Sequence, residues 1–557
     1  MTVIGSKTEA FPQLLLGGLA ALLAAGLLWP LAELAILVAD EGAGAAAFLT
    51  PYNLRAVGNT IAMGAAVALT ATVLGFAVAY AITVTRSFGR GALKVLFLAP
   101  LFAPSIMPAI GLIYLVGSNG LLLNLDLYGP LGVFLAGLVF ALPHTVMQLR
   151  LNLATLDVKL LAAARSLGAG PWRRFATVTL VHARAGLANA FMIAFILTIT
   201  DFGVPKMLAG DFPMLATEIY ALAVGEQNFA AAGLLSLGLL IPALLALQVT
   251  RRFSQTQTKA VFQIKDPDPS PVRDAVAGIL AWCVVGAELL VIGVVIYGSF
   301  ITFWPYETQL TLANYAFKNS AYGISPWLHS LIVSFAVAVL GTGLAWIGAY
   351  LTVRMPQMPG VLRTGYDKLA LLPVCIPGTV LGLAWAMTFS GTALFSGALG
   401  SLLLVIANTT IHLWSVPHIT AKAGLSAMNA RYETVGKTLG AKRLTTIARV
   451  IVPLSRAELC DIFSYLFASA VTTISAVVFL YTPSSIVAAV AAIDMIDSGF
   501  ISEGAAMSCL IFVCALAVRA APHLPTELPD NDHATHASHY VRYFEYPART
   551  AGRTRLS

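Results

Sequence analysis

Long apolar runs alternate with short polar loops along the whole chain of 557 residues. Twelve of these runs are long enough, or nearly so, to cross a hydrocarbon core of about 30 Å at about 1.5 Å per helical residue. They lie at roughly 12–38, 57–84, 94–116, 129–149, 184–203, 229–250, 275–301, 328–353, 367–390, 398–417, 459–482 and 503–520. Six fall in each half. The pattern predicts an all-α integral membrane protein of about twelve transmembrane helices, arranged as two tandem six-helix units.

Composition agrees: 58% of residues are hydrophobic and only 11% charged, too apolar for a soluble domain of this size. The cations then give a direction, because Lys and Arg of short loops stay on the cytoplasmic side. Arg86, Arg90 and Lys94 follow the second run, and Arg354, Arg363 and Lys368 hold the same place in the second half. The opposite loops hold only Arg55, Lys206 and Lys318. A multi-pass protein of a bacterial inner (plasma) membrane, with both termini cytoplasmic, is expected. The net charge of +7 is spread over alternating loops and forms no single basic face, so nucleic acid is not an expected partner. The first run, Phe11 to Ala39, is longer than the apolar core of a signal peptide and lacks a convincing cleavage site, so it reads as a retained span. The five cysteines contain no CxxC pair and read as ordinary buried residues.

Short motifs recur at a nearly constant offset. Ala79-Tyr80 returns as Ala349-Tyr350, Pro100 and Pro104 as Pro373 and Pro377, and Pro143-His144 as Pro417-His418. Such a parallel duplication predicts a pseudo-twofold axis along the membrane normal, with a pathway between the halves. The first unit is expected over 1–254 and the second over 274–520, joined by a polar cytoplasmic linker at 255–273. Residues 521–557 form a polar tail, expected to be disordered, whose histidines His523, His533, His536 and His539 lack metal-ligand spacing.

The most specific repeat lies in two of the basic loops, about 150–184 and about 422–457. The first contains Ala163-Ala164-Arg165-Ser166-Leu167-Gly168-Ala169, then Val178-Thr179-Leu180-Val181. The second contains Val435-Gly436-Lys437-Thr438-Leu439-Gly440-Ala441, then Val450-Ile451-Val452-Pro453, with the same nine residues between glycine and valine. A short helix from about Thr155 should stop at Gly168, because glycine tolerates the left-handed backbone of a helix cap, and a second should start near Pro171. The small side chains would let a partner come close to the backbone at this bend. The string Gly436-Lys437-Thr438 imitates the end of a phosphate loop, but Arg431 stands where its first glycine should be and no strand precedes it.

This segment resembles the EAA loop of binding-protein-dependent ABC importer permeases, the helical hairpin that docks on a cytoplasmic ATPase. The resemblance implies a permease without catalytic residues, metal or cofactor of its own; two copies of an ABC ATPase subunit would hold ATP and Mg, and a periplasmic solute-binding protein would deliver cargo. Ala163, Ala164, Arg165, Gly168, Glu433, Lys437, Gly440 and Pro453 are then the expected coupling residues. The family's loop glutamate is Ala162 in the first copy and Thr434 in the second, where Glu433 lies one residue earlier, and Val181 replaces the proline retained as Pro453.

Asp201, Pro104 and Pro377 are the expected pathway residues. Acids at a membrane edge are costly, and the second half has no acid at the place of Asp201, although an Asp there also suits a helix cap. The stretches 202–206 and 475–483 resemble the branch that includes ferric-iron and 2-aminoethylphosphonate permeases. The run Phe202 to Lys206 and the stretch Ile493-Asp494-Met495 incline the expectation to 2-aminoethylphosphonate, with ferric iron as the alternative. A secondary transporter of six-plus-six layout is the rival from another class, but no cluster of ion-coupling acids stands out. A membrane enzyme would need a metal motif or nucleophile constellation, and none is seen.

Overall fold

The computed structural model describes residues 4–41, 50–254, 269–355, 357–389 and 391–520. The described part is helical apart from one small antiparallel hairpin, in which Ile301–Phe303 pairs with Glu307–Leu310. In the first half the long helices are α1 (Ile4–Asp40), α2 (Pro51–Val84), α3 (Pro130–Ala154), α4 (Leu180–Thr200) and α5 (Phe229–Ser254). The second half has α6 (Pro271–Ser299), α7 (Ser325–Val353), α8 (Arg456–Thr472) and α9 (Ile501–Ala520). The expected linker falls mostly outside the described residues, and the expected tail 521–557 falls wholly outside them.

Among the described residues eight helices are long and apolar enough to cross a membrane, or eleven spans if each of three bent helix pairs counts as one. The expected count of twelve is therefore not reached. The run at 459–482 accounts for the difference, because its helix α8 ends at Thr472 after 17 residues and 473–487 form turns and extended chain. Hydropathy detects the apolar residues Ala476 to Leu480 but not their conformation. Non-helical backbone at membrane depth is tolerated where protein buries it, and here Gly378 and Gly382 of the neighbouring helix lie close against Ser475 and Ala476.

Two of the bent pairs repeat each other. Arg90–Phe102 and Ile106–Val116 meet at 106°, and Gly360–Cys375 and Gly378–Phe389 meet at 107°. Pro104 and Pro377 sit at these breaks, where a residue without an N–H leaves one donor fewer to satisfy. The third pair, Gly397–His412 and Ser415–Ala427, bends by 51°.

Hydrogen bonds repeat as well. The Thr60 hydroxyl on α2 accepts from the Leu215 amide at 2.9 Å, and Asn59 donates to the Pro213 carbonyl at 3.0 Å. In the second half the Ser330 hydroxyl on α7 accepts from the Ala488 amide at 2.7 Å, and His329 meets the Ile486 carbonyl at 3.0 Å. Each pair ties the start of the half's second long helix to the first turn of a short helix that would otherwise leave a buried amide unpaired.

The halves exchange their first helices. α1 packs on the second half's bent pair 360–389, where the Trp385 indole donates to the Gly26 carbonyl at 2.7 Å. α6 packs on α2 and on the first half's bent pair, where a Cβ at Gly111 would stand 2.5 Å from the Val291 carbonyl oxygen. Only glycine permits that approach, so each half carries a helix that belongs sterically to the other.

Removing the Ser330 hydroxyl strands the buried Ala488 amide, a loss of about 1–3 kcal/mol. Ser330→Ala should lower the unfolding midpoint of the purified protein, whereas a change at the half-buried Thr70, whose hydroxyl bonds only the Ala66 carbonyl of its own helix, should not; equal midpoints for Ser330→Ala and the parent protein would show that this bond does not anchor the fold.

Candidate functional site

The two loop hairpins have the same backbone. In the first, helix Val158–Ser166 starts at Asp157, whose carboxylate accepts from the Lys159 amide at 2.9 Å, and ends where Gly168 adopts φ +76°. The amides of Leu167, Gly168 and Ala169 return to the carbonyls of Ala163, Arg165 and Ala164. In the second, helix Arg431–Thr438 ends at Gly440 with φ +74°, and Leu439, Gly440 and Ala441 return to Val435, Lys437 and Gly436. Short helices Pro171–Arg174 and Arg443–Thr446 follow, and each runs into one π-helical turn, at Phe175–Thr179 and Ile447–Ile451. The helix ends, the capping glycines, the short helices and the π turns are all displaced by 272 residues.

Ala163, Arg165, Gly168, Lys437, Gly440 and Pro453 are exposed, Ala164 and Glu433 half-buried. The small residue at 436 serves the hairpin itself, since a Cβ there would stand 2.5 Å from the Thr446 hydroxyl. Glu433 likewise turns inward. Its carboxylate takes both arms of the Arg354 guanidinium, at 2.7 and 2.5 Å. Arg354, whose side chain is 5% exposed, also donates to the Met428 and Asn429 carbonyls at 3.0 and 2.9 Å. A bidentate pair of this kind fixes direction as well as distance. The second loop helix is thereby clamped to the end of α7. Gly436-Lys437-Thr438 forms the last turn of a helix, not the strand-to-helix turn that cradles phosphate.

What the hairpins present outward was missed in the sequence. Leu167 is 87% exposed and Trp172 77%; at the equivalent places Leu439 is 79% exposed and Leu444 77%. Apolar side chains this exposed beside cations mark an interaction surface. Leu167 and Leu439 stood inside the repeated motif, and their fixed place before the capping glycine was the available signal.

At the far ends of α4 and α8 lies the second candidate region. The Asp201 carboxylate accepts from the Val204 amide at 2.8 Å, so it caps the short helix Gly203–Leu208. Pro104 and Pro377 are buried at the breaks. Beside them a Cβ on Gly203 would stand 2.4 Å from the Ser105 hydroxyl, and a Cβ on Gly378 would stand 2.4 Å from the Ser475 hydroxyl. The same serine-on-glycine contact thus closes both breaks with the two residue types exchanged between partners. The structure brings Asp201 to Pro104 through this contact and keeps both far from the loop hairpins. The halves meet here through Phe202, Tyr220 and Phe479, with ring centroids 5.1 and 5.9 Å apart, and through Lys206 and Asp497 at 2.8 Å. Among the described residues no three His, Cys, Asp or Glu side chains form a metal cluster.

Residues 71–254 match the family described as binding-protein-dependent transport system inner membrane component. The ferric transport system permease protein FbpB of Actinobacillus pleuropneumoniae is 26% identical over 84% of this chain and 70% of its own length. A Haemophilus influenzae protein named for the same cargo is 27% identical over 77% of this chain and 71% of its own. The molybdenum transport system permease protein ModB of Azotobacter vinelandii is 28% identical over 97% of its own length, yet covers only 37% of this chain. A nearly whole relative thus corresponds to little more than a third of the sequence, as expected of a doubled protein.

Glu433→Ala leaves Arg354 with carbonyl partners only and frees the second loop helix. Amide exchange over 431–438 should rise at least tenfold while 158–166 is unchanged; equal protection of 431–438 in both proteins would show that the clamp is idle.

Proposed function

We propose that the chain is a binding-protein-dependent permease of an ABC transporter in fused double-length form, and that it supplies both membrane halves of an ATP-driven importer whose cargo is ferric iron. Permeases of this family work with an ATPase and a solute-binding protein. In this reading two copies of the ATPase sit below, one on each hairpin, and carry ATP and Mg. The solute-binding protein docks on the opposite face, and both termini lie on the ATPase side. The observation that carries the reading is the pair of hairpins with the same capping glycine and π turn, each presenting two exposed apolar side chains.

Each hairpin leads directly into a long helix, so a pull on Leu167 or Leu439 is transmitted along α4 or α8 to the Ser105 and Ser475 contacts. The serine-on-glycine packing leaves these helices no slack, and movement of one hairpin shifts its break. The Arg354–Glu433 clamp makes the second hairpin move with α7 as well.

The relatives that cover most of the chain are named for ferric transport, which favours the iron alternative over 2-aminoethylphosphonate. The latter expectation rested on short stretches without a chemical reason for phosphonate recognition. In proteoliposomes with the ATPase and binding protein, ferric iron should accumulate when ATP is supplied and not with an ion gradient alone. Accumulation driven by the gradient without ATPase would remove the importer reading, and ATP-driven uptake of 2-aminoethylphosphonate without iron would remove the cargo.

Burying a leucine side chain is worth about 1.5–3 kcal/mol, and each 1.4 kcal/mol is tenfold in affinity. Leu167→Ser or Leu439→Ser should therefore weaken ATPase binding by about tenfold or more without unfolding the protein. A Cβ at Gly168 or Gly440 meets nothing within 4 Å, so Gly168→Trp and Gly440→Trp act through the left-handed backbone and the outward bulk and should uncouple uptake. Normal ATPase binding and uptake in all four variants would place docking elsewhere.

A further inference from the structure

Two segments on the face opposite the loop hairpins expose apolar side chains where connecting chain is normally polar. Residues 117–129 lie at the start of α3, whose other end leads into the first hairpin; residues 300–312 lie between α6 and α7, and α7 ends at the clamp on the second hairpin. In the first segment Leu121, Leu122 and Leu123 are each more than half exposed, and in the second so are Phe303, Leu310 and Leu312. Neither segment holds a Lys or Arg. The two meet at Tyr114. Its carbonyl accepts from the Leu121 amide at 2.9 Å, and its ring stands edge-on to Trp304 with centroids 5.0 Å apart.

We propose that these segments, one from each half, form a joint anchor seated at the boundary between headgroups and acyl chains of the lipid leaflet on that side. The exposed apolar stripe of α6, through Val276, Leu280 and Leu290, is surface that lipid covers along the span, and it continues through Tyr297 to Phe303. A loop in that layer must keep its backbone groups paired, because lipid supplies no partner. Here the amides of Leu121, Leu122 and Leu125 return to the carbonyls of Tyr114, Leu115 and Val116 at 2.9, 2.8 and 2.9 Å, on the last turn of helix Ile106–Val116. In the second segment Ile301–Phe303 pairs with Glu307–Leu310, and the Thr311 amide returns to the Phe300 carbonyl at 2.6 Å. The Asn314 amide group donates to the carbonyls of Ser299 and Ile301 at 2.9 and 2.7 Å. Tyr128, Trp304 and Tyr306 add rings of the kind that favour the interfacial layer. The exposed Asp126, Glu307 and Gln309 supply a polar side for the headgroups. A soluble partner that comes and goes would leave this apolar surface in water at each departure, whereas lipid covers it throughout. With no cation in either segment, the anchor needs no anionic lipid. Because Tyr114 belongs to the helix after the Pro104 break, the anchor holds that leg and α6 together against the leaflet.

Nitroxide labels at Leu122→Cys, Phe303→Cys and Leu310→Cys, each alone in a full-length chain whose five native cysteines are replaced, test this in phosphatidylcholine nanodiscs. Collisions are measured with oxygen, which concentrates in lipid, and with a neutral nickel chelate, which stays in water. Each label should meet nickel about fivefold less than a label at Thr438→Cys on the second loop hairpin, since a polar chelate enters an apolar layer at a cost. Each should also meet oxygen more than nickel, as a label at Leu290→Cys on α6 does. A nickel collision rate at any of the three sites that matches Thr438→Cys overturns the joint anchor. A rate that is high in nanodiscs alone and falls only when the solute-binding protein is added also overturns it, and assigns the surface to that partner.

Discussion

Inside a bilayer no water satisfies a backbone N–H or C=O that leaves its helix, and the breaks at Pro104 and Pro377 are where this chain must meet that constraint. Each break turns the chain by more than 100°. Short-range bonds take up part of the cost: Ala103 returns to Pro100 and Met107 to Pro104, while Ile376 returns to Pro373 and Leu381 to Pro377. The Ser415 hydroxyl adds a partner in the second half, accepting from Val374 at 3.1 Å and donating to Ala370 at 2.9 Å. The rest is enclosure by protein. Ser105 against Gly203 and Ser475 against Gly378 seal the breaks, and this demands that the chain after α4 and α8 run close beside them.

That demand links the two ends of the molecule. α4 and α8 carry a loop hairpin at one end and a sealing segment at the other, so neither end can shift alone. The exchanged helices α1 and α6 extend the coupling across the halves, through Trp385 on Gly26 and Val291 on Gly111. The halves are not equivalent, however. Glu433 is clamped by Arg354, whereas the aligned position in the first hairpin is Leu161, which offers no carboxylate for the same pair. Asp201 caps a helix where the second half has turns and Thr473.

Much of this was legible in the sequence because it depends on spacing and on residues with one dominant conformational role. The offset of 272 between Gly168 and Gly440 located both hairpins, and the recurrence of Pro104 as Pro377 singled out the two residues at which the structure shows the breaks. The fate of 459–482 was not legible, since Ala476 to Leu480 are as apolar as a span and only the approach of Gly378 and Gly382 shows why they are not helical. Leu167 and Leu439 were hidden because an apolar residue in an amphipathic hairpin normally faces inward. The pairing of Arg354 with Glu433 spans 79 residues of sequence, a distance over which charge pattern carries no pairing information.

The central claim is that the hairpins drive the breaks, and the hairpin separation tests it most directly. Spin labels at Ser166→Cys and Thr438→Cys, in a protein whose five native cysteines are replaced and which is bound to its ATPase, report that separation by pulsed electron resonance. The account predicts a distance that shortens when ATP binds and returns after hydrolysis. A distance distribution that is the same in the nucleotide-free and ATP-bound complexes, in a preparation that transports cargo, would contradict it.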